Sequence, residues 1–225
     1  MDKLLEVSDL KLSLAGPPIL HGIDLWVGKD EIVGLVGDNG SGKTMMLRSV
    51  VGLEEPDAER LLFQETDLLG IPVHRRVELG LSYCPSEDNV FPRMSVRENL
   101  EIGSFLKPDQ GEERLDWIYS IFPSLESRME QRATTLSGGE RQMLALGKAL
   151  LSEPELLLLD EFSLGLSQKL AIEFTDRIKD IYSSGVSVLF VEQNFHLAAE
   201  LAQRDYYMVE GQIAERNSLD RSNAG

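Results

Sequence analysis

The chain has little cysteine, little basic charge and no long apolar run. Cys84 is the single cysteine among 225 residues, so no disulfide can form within the chain and a reducing compartment is expected. The 22 lysines and arginines are outnumbered by 38 aspartates and glutamates, which gives a formal net charge of −16. Nucleic acid and anionic lipid attract basic proteins, so this charge argues against a nucleic-acid partner and against electrostatic docking on lipid.

Apolar residues are common but never continuous for long. No run reaches the roughly 18 residues that a membrane-spanning helix needs, and the opening segment MDKLLEVSDLKLSL lacks the apolar core of a secretory signal. Hydrophobic residues make up 42% of the chain and charged residues 27%, which is typical of a globular protein. The length suits one large domain, or a core with a smaller insert.

Short apolar segments alternate with helical patterns along much of the chain. The apolar runs IVGLV and LLLLD indicate strands that are buried on both faces of a parallel sheet. Gln168–Ser183 has apolar residues at helical spacing, and another strand follows it. This rhythm predicts an α/β fold. The predicted strands are Leu4–Val7, Ile23–Val27, Glu31–Val36, Leu81–Cys84, Leu156–Asp160, Val186–Val191 and Tyr206–Val209.

Strand signals vanish between about Pro85 and Leu150, where helical patterns dominate. A helix is predicted over Glu112–Phe122, and the polar segment Lys107–Arg114 is expected to form a loop. We interpret the region as a helical subdomain inserted into the α/β core. The predicted division of the single domain is 1–84 and 152–216 for the core, 85–151 for the helical subdomain and 217–225 for a polar tail.

The strongest chemical signal is a loop that matches G-x-x-x-x-G-K-[ST]. It consists of Gly37, Asp38, Asn39, Gly40, Ser41, Gly42, Lys43 and Thr44. Its glycines let the backbone curl so that successive N–H groups point inward and surround an anion, next to the N-terminus of a helix that is predicted to begin near Ser41. Lys43 can then reach the β- and γ-phosphates, and the Thr44 hydroxyl can bind Mg²⁺. An ordinary glycine-rich turn is the alternative, but a buried strand precedes the loop and the apolar-faced helix Met46–Leu53 follows it, which favours phosphate binding.

Two adjacent carboxylates, Asp160 and Glu161, end the buried strand LLLLDE. Neighbouring residues at a strand end point in different directions, so one carboxylate can hold Mg²⁺ while the other orients or deprotonates water. The alternative is an ordinary polar strand end in solvent. A phosphate loop in the same chain favours the functional interpretation, because ligands of open α/β sheets bind at this edge.

The segment LSGGERQ, which spans Leu136–Gln142, has a structural and a functional interpretation. Ser137 and Glu140 have the spacing of a capping box, and Gly138 and Gly139 are compatible with a simple turn. The same hydroxyl and glycine N–H groups would crown a helix N-terminus and form a second phosphate site.

Together these motifs resemble the nucleotide-binding subunit of an ABC transporter. They occur in that family's order, and SLGLS at Ser163–Ser167 is similar to its D-loop. Three longer stretches, among them VFPRMSVRENLEIG, resemble the smaller ATPase of branched-chain amino-acid importers. The resemblance implies a P-loop NTPase (RecA-like) core with a mainly parallel sheet, an N-terminal antiparallel β portion and an inserted helical subdomain.

The resemblance also implies roles and partners. ATP would be bound by the loop Gly37–Thr44, with Mg²⁺ held by Thr44 and Asp160. Lys43, Glu161 and Gln193 would be catalytic, with Glu161 activating water and Gln193 sensing the γ-phosphate. A second ATPase subunit, identical or paralogous, would close head to tail, so that Ser137, Gly138 and Gly139 of one chain contact ATP bound to the other.

The remaining implied partners belong to the membrane. An integral-membrane permease would contact a groove near Ser86–Asn99, and a solute-binding protein would act indirectly. The chain would then lie at the cytoplasmic face of the cell membrane. The family resemblance implies import, whereas the sequence does not identify the solute.

Three positions depart from the family's usual pattern. Leu14 stands where an aromatic residue normally stacks on adenine, Ser86 followed by Glu87 replaces the glutamine loop, and Gln193 replaces the switch histidine. His196 is expected on a helix surface rather than at the γ-phosphate.

Two alternatives stay open. One is an ABC-type ATPase that works without a membrane, such as an iron–sulfur assembly machine. The other is a nucleotide-binding regulatory module with little turnover, which the three departures motivate.

Overall fold

The computed structural model describes residues 2–87, 89–105 and 111–214, which form two sheets and eight α-helices. The strands in chain order are β1 (Lys3–Ser13), β2 (Pro18–Gly28), β3 (Ile32–Val36), β4 (Arg60–Phe63), β5 (Thr66–Asp67), β6 (Leu81–Cys84), β7 (Leu156–Asp160), β8 (Ser187–Glu192), β9 (Arg204–Val209) and β10 (Gln212–Ala214). The helices are α1 (Lys43–Val51), α2 (Val73–Glu78), α3 (Val96–Gly103), α4 (Gly111–Ile121), α5 (Pro123–Glu126), α6 (Gly138–Leu150), α7 (Gln168–Ser183) and α8 (Phe195–Leu201).

The larger sheet has the strand order β10-β9-β3-β8-β7-β6. All of its pairings are parallel except that of β10 with β9. Every residue of β3, β7 and β8 is buried, because apolar side chains cover both faces of these strands. The mainly parallel sheet confirms the predicted α/β class, and it brings the carboxyl ends of β3, β8 and β7 to one edge.

The smaller sheet is antiparallel, with the order β2-β1-β4-β5. It confirms the antiparallel β portion that the family resemblance implied. Its apolar face and helix α1 share one core cluster with the larger sheet, in which Leu5, Leu20, Met46 and Phe63 are fully buried. The phosphate loop is therefore held between the two sheets.

All seven predicted strands are present, and the three strands that were missed are short. The predicted bounds of β6 and β7 are confirmed, and those of β3 and β8 are within one residue. The predictions for β1 and β2 were too short, since each strand has 11 residues. Strands β4, β5 and β10 were missed, because two to four residues carry too little alternation to be recognised.

The described part of the region between residues 85 and 151 contains helices and no strand of the two sheets. Helix α4 starts and ends one residue before the predicted Glu112–Phe122. The loop prediction for Lys107–Arg114 was wrong over residues 111–114, because these polar residues form the first turn of α4, whose buried face begins at Leu115. Residues 107–110 and the predicted tail 217–225 lie outside the described residues, and the domain boundaries stay a prediction.

Helix α7 has the predicted bounds, and α1 begins at Lys43 rather than near Ser41. Helix α1 ends at Val51, two residues before the predicted Leu53, because Gly52 adopts a left-handed φ of 87°. Within the described residues, no helix has the length and apolarity that crossing a bilayer requires.

Candidate nucleotide-binding site

The phosphate loop follows β3 directly and is pressed against neighbouring backbone. Gly40 and Gly42 have φ values of 77° and 105°, which glycine adopts without strain. A Cβ atom at Gly42 would lie 2.8 Å from Leu20, and one at Gly37 would collide with the carbonyl oxygen of Met208. The glycines therefore fit the loop tightly between β2 and β9.

Two buried polar groups of the loop suit an anion. The Ser41 hydroxyl is buried and has no hydrogen-bond partner within the described residues. The Lys43 side chain is 3% exposed, and its ammonium group donates to the carbonyl oxygens of Gly37 at 2.8 Å and Asp38 at 3.0 Å. A buried cation that bonds mainly to neutral carbonyl groups is well placed to bind phosphate oxygens.

Asp160 lies at the end of β7 beside the first turn of α1. Its Oδ1 accepts a hydrogen bond from the Thr44 hydroxyl, and its Oδ2 accepts one from the Tyr83 hydroxyl, both at 2.9 Å. Burial raises the pKa of the Asp160 carboxyl, while the two hydroxyl bonds lower it in part. The predicted metal pair, Thr44 and Asp160, is thus in direct contact.

Tyr83 was missed in the sequence. Strand β6 pairs with β7 so that Tyr83 is opposite Leu158, and Asp160 points to the same face two residues further along β7. Burial raises the pKa of the Tyr83 phenol, and so does the neighbouring Asp160. The phenol therefore stays protonated and donates to the carboxylate.

The donor set suits Mg²⁺ only together with a phosphate. A hydroxyl and a carboxylate are the oxygen ligands that Mg²⁺ accepts. Among the described residues no group of three or more His, Cys, Asp or Glu side chains could hold a metal by itself. Phosphate oxygens and water would have to supply the remaining ligands of the ion, as in other Mg²⁺–nucleotide sites.

Lys43 and Gln193, two of the three predicted catalytic residues, both approach the third, Glu161. The Gln193 amide donates to Glu161 Oε1 at 2.8 Å, and the Lys43 ammonium lies 3.6 Å from the same oxygen. Glu161 has a φ of 44°, a left-handed conformation that is uncommon outside glycine. This turn directs the Glu161 side chain toward Lys43 of the phosphate loop. The preceding residue, Asp160, contacts Thr44 and Tyr83 instead.

The signature residues are separate from this cluster. Ser137 and Glu140 form the predicted capping box, with bonds of 2.8 and 3.3 Å between each side chain and the other residue's N–H group. Ser137 and Gly138 are exposed, whereas Gly139 is buried against Leu170. No hydrogen bond within the described residues joins this tip to the phosphate loop, so a single chain does not bring the two together.

The three departures have different surroundings. Leu14 is 42% exposed in the turn between β1 and β2. In β2, which follows this turn, Leu20 lies beside Gly42 of the phosphate loop. The Ser86 carbonyl oxygen is 3.5 Å from the Asn89 amide. Gln193 contacts Glu161, as described above. His196 is exposed in the first turn of α8, which confirms its expected surface position.

Comparison with known proteins agrees with this geometry. The family model described as ABC transporter matches residues 20–163, well over half of the chain. The chain belongs to the ABC transporter family. This ABC protein is an ATPase that binds ATP, and the identification confirms the resemblance drawn from its motifs.

Several curated relatives cover most of this ABC ATPase. The high-affinity branched-chain amino acid transport ATP-binding protein BraG of Pseudomonas aeruginosa is 40% identical over 86% of this chain and 84% of its own length. The probable branched-chain amino acid transport ATP-binding protein LivF of Archaeoglobus fulgidus is 37% identical over 87% and 84%. The lipopolysaccharide export system ATP-binding protein LptB of Escherichia coli K12 is 31% identical over 93% and 88%.

Solved structures agree in fold. A nucleotide-free ATP-binding cassette from an ABC transporter superposes with a TM-score of 0.87 at 22% identity, over 98% of this chain and 94% of the other. A dimeric ATP-binding cassette in a post-hydrolysis state with ADP and Pi has a TM-score of 0.83 at 19% identity, over 94% and 97%. At these identities the structures establish the shared fold.

Proposed function

We propose that the chain is the ATP-hydrolysing subunit of an importer for branched-chain or other amino acids. The convergence of Lys43, Glu161 and Gln193 beside the Thr44–Asp160 pair is the observation that carries the hydrolysis step. The identities of 40% and 37% with branched-chain transport proteins support import over lipopolysaccharide export, for which the identity is 31%. They also favour transport over an ATPase that works without a membrane.

ATP binds with its phosphates in the loop Gly37–Thr44. The Lys43 ammonium exchanges its bonds to two backbone carbonyl groups for bonds to the β- and γ-phosphate oxygens. Mg²⁺ fits Thr44 and Asp160, where it would neutralise charge on the phosphate oxygens. Most of the rate enhancement comes from positioning and charge stabilisation, as in phosphoryl transfer generally.

Glu161 takes the proton of the attacking water. Gln193 already occupies Oε1 of this carboxylate, so Oε2 is the oxygen left to orient the water in line with the γ-phosphate. When water attacks the phosphorus atom, its proton passes to Glu161 and the bond to ADP breaks. Gln193 donates a hydrogen bond throughout and takes up no proton, because an amide does not titrate.

Closure by a second ATPase subunit, identical or paralogous, completes the site. The exposed tip of Ser137 and Gly138 crowns a 13-residue helix, whose N-terminal dipole favours a phosphate of the facing subunit. Gly138 and Gly139, the first two residues of the helix, have no side chain that would obstruct a phosphate. The dimeric cassette among the solved relatives supports this arrangement for the fold. Hydrolysis would then reopen the dimer and move the permease.

A cleft of about 420 Å³ beside the predicted groove is the proposed permease contact. Phe91, Ile102 and Phe105 line it and are 46%, 40% and 83% exposed. Exposed aromatic and aliphatic side chains in one cleft suit a helical loop of a membrane subunit. This contact would hold the chain at the cytoplasmic face of the membrane and link it indirectly to a solute-binding protein.

Crosslinking tests the permease contact. Single cysteines at Phe91 or Met94, introduced in a Cys84→Ser background, should be captured by the permease in membranes. A matched cysteine at Glu173, a partly exposed residue of α7 that does not line the cleft, should not be captured. Capture at Glu173 alone would refute the proposed face.

The hydrolysis step is tested with Glu161→Gln. The variant keeps an oxygen that accepts from Gln193 but cannot take up a proton, so turnover should fall by about 10²-fold or more. Phosphate release should be slow for the wild type and almost absent for the variant, and size-exclusion chromatography in MgATP should detect a trapped dimer of the variant. Glu200→Gln, an exposed glutamate of α8, is the matched control.

Equal turnover of wild type and Glu161→Gln would remove Glu161 from its proposed role. A wild type that binds ATP with no measurable turnover would favour the regulatory module, for which the departures at Leu14 and Ser86 are the supporting observation.

A further inference from the structure

Glu192, the last residue of β8, is a buried carboxylate that the mechanism above does not use. Its side chain is 2% exposed. Oε1 accepts the backbone N–H of Ser163 at 2.9 Å, and Oε2 accepts that of Gln193 at 3.2 Å. The N–H of Asn194 also bonds to this carboxylate. Among the described residues no lysine or arginine pairs with it, so backbone N–H groups and the Ser163 side chain compensate its burial.

The segments that Glu192 holds are those that carry the catalytic pair. Ser163 follows Glu161 by two residues, and Gln193 is the residue that donates to Glu161 at 2.8 Å. Both ends of the Glu161–Gln193 hydrogen bond are therefore anchored to one carboxylate. The backbone carbonyl of Glu192 also accepts the N–H of Gly37, the first residue of the phosphate loop, at 3.3 Å.

Burial of Glu192 has a cost that packing alone does not explain. Burial raises the pKa of the carboxyl, and the surrounding N–H groups lower it only in part. An apolar side chain would fill the same volume without a desolvation cost. A carboxylate has instead two oxygens that can bond separate segments at once, which an apolar residue cannot do.

We propose that Glu192 is a positioning residue for ATP hydrolysis, which holds the Glu161 and Gln193 segments in the relative geometry that their hydrogen bond requires. The inference rests on the proposed roles of Glu161 and Gln193. Glu192 itself touches neither water nor phosphate in this account. Its effect on the rate passes through Gln193, and that dependence distinguishes it from a residue that only stabilises the fold.

A double-mutant cycle tests the proposal with the full chain, using Glu192→Gln, Gln193→Ala and the double variant. Glutamine at position 192 keeps one acceptor oxygen but turns an NH₂ group toward the second backbone N–H, so one segment is released. Steady-state phosphate release should give a kcat about tenfold lower for each single variant, with KM for MgATP nearly unchanged. The double variant should also be about tenfold slower, not about a hundredfold.

Glu31→Gln is the matched control. Glu31 is a partly buried glutamate that pairs with Arg204 at the opposite edge of the same sheet. This variant should lower the melting temperature and leave kcat unchanged. If Glu192→Gln does not fold, Glu192→Asp keeps the charge but shortens the reach to Ser163, and it should give the same pattern in the cycle.

The outcomes are distinct. A Glu192→Gln variant with wild-type kcat, or a double variant whose losses multiply, would overturn the proposal while leaving the roles of Glu161 and Gln193 intact. A Gln193→Ala variant with wild-type kcat would overturn the role of Gln193 and, with it, this inference. Hydrolysis by Glu161→Gln at the wild-type rate would remove Glu161 from its proposed role and overturn this inference with it, whereas a wild type without ATP hydrolysis would contradict the proposed function itself.

Discussion

Replacing Asp160 by asparagine should make the nucleotide-free protein more stable. The carboxylate is 2% exposed, and its two close partners are the neutral hydroxyl groups of Thr44 and Tyr83. The Lys43 ammonium lies 3.6 Å from Glu161 and bonds to backbone carbonyl groups. An asparagine keeps both contacts, because its oxygen accepts from one hydroxyl and its NH₂ donates to the other.

The expected gain follows from removing a buried charge. We expect the free energy of unfolding to rise by about 1 kcal/mol, and the melting temperature by about 3 °C for a chain of this size. The pKa of Asp160 is raised in the native state, so its contribution to stability is present at low pH and is lost as pH rises through that pKa. The advantage of the variant should therefore shrink on acidification from pH 7 toward the unfolded-state pKa, near 4.

Bound MgATP should reverse this order of stability, so that the wild type becomes more stable than Asp160→Asn. A ligand at about 100 times its dissociation constant stabilises by about 2.7 kcal/mol. The wild type should receive this gain from MgATP, and Asp160→Asn much less, while ATP with EDTA should affect both alike. Urea denaturation at pH 7 and pH 5, with and without nucleotide, measures the free energy of unfolding of each protein. Asp176→Asn, at an exposed position, is the control.

Two results would refute the reasoning. A variant that is less stable than the wild type without nucleotide would mean that the charge of Asp160 is compensated in the fold. An equal gain from MgATP in both proteins would mean that Asp160 does not contribute to metal binding.

Three further predictions concern residues around the site. Arg76→Met should lower the free energy of unfolding by about 3 kcal/mol in urea denaturation, because the 3%-exposed guanidinium donates to four backbone carbonyl groups, two of them in the last turn of α1; a loss below about 1 kcal/mol would contradict this. Tyr83→Phe should raise the Mg²⁺ concentration that gives half-maximal ATPase activity about tenfold, because Asp160 loses one of its orienting bonds, and should leave ATP affinity in EDTA unchanged. An unchanged Mg²⁺ titration would exclude that role. Leu14→Tyr should tighten ATP binding by about 1 kcal/mol through stacking on adenine, as measured by calorimetry, and should leave tripolyphosphate binding unchanged; equal effects on both ligands would place residue 14 away from the base.

Local sequence signals predicted the parts of the site that depend on neighbouring residues. The phosphate loop needs glycine where φ is positive, and the capping box needs Ser137 and Glu140 three residues apart, so both are visible in the sequence. Helix α7 and strand β7 were recognised because their apolar patterns are long or continuous. The family resemblance then supplied the order of the motifs.

Contacts between distant segments were not visible. Tyr83 meets Asp160 only because β6 and β7 pair in one particular register, and sequence patterns do not fix the register of parallel strands. Glu192 meets Ser163 across 29 residues, at the point where two strands end side by side. Its neighbours in the sequence give no sign that it is held by backbone N–H groups.

Calorimetric titration with ATP and Mg²⁺ tests the central claim most directly, namely that the loop ending in Lys43 and Thr44 binds the nucleotide. The wild type should take up ATP, and Lys43→Ala should lose this uptake while keeping its fold by circular dichroism. Lys169→Ala, at the exposed start of α7, should bind as the wild type does. No detectable binding by the wild type, or equal binding by Lys43→Ala, would contradict the account.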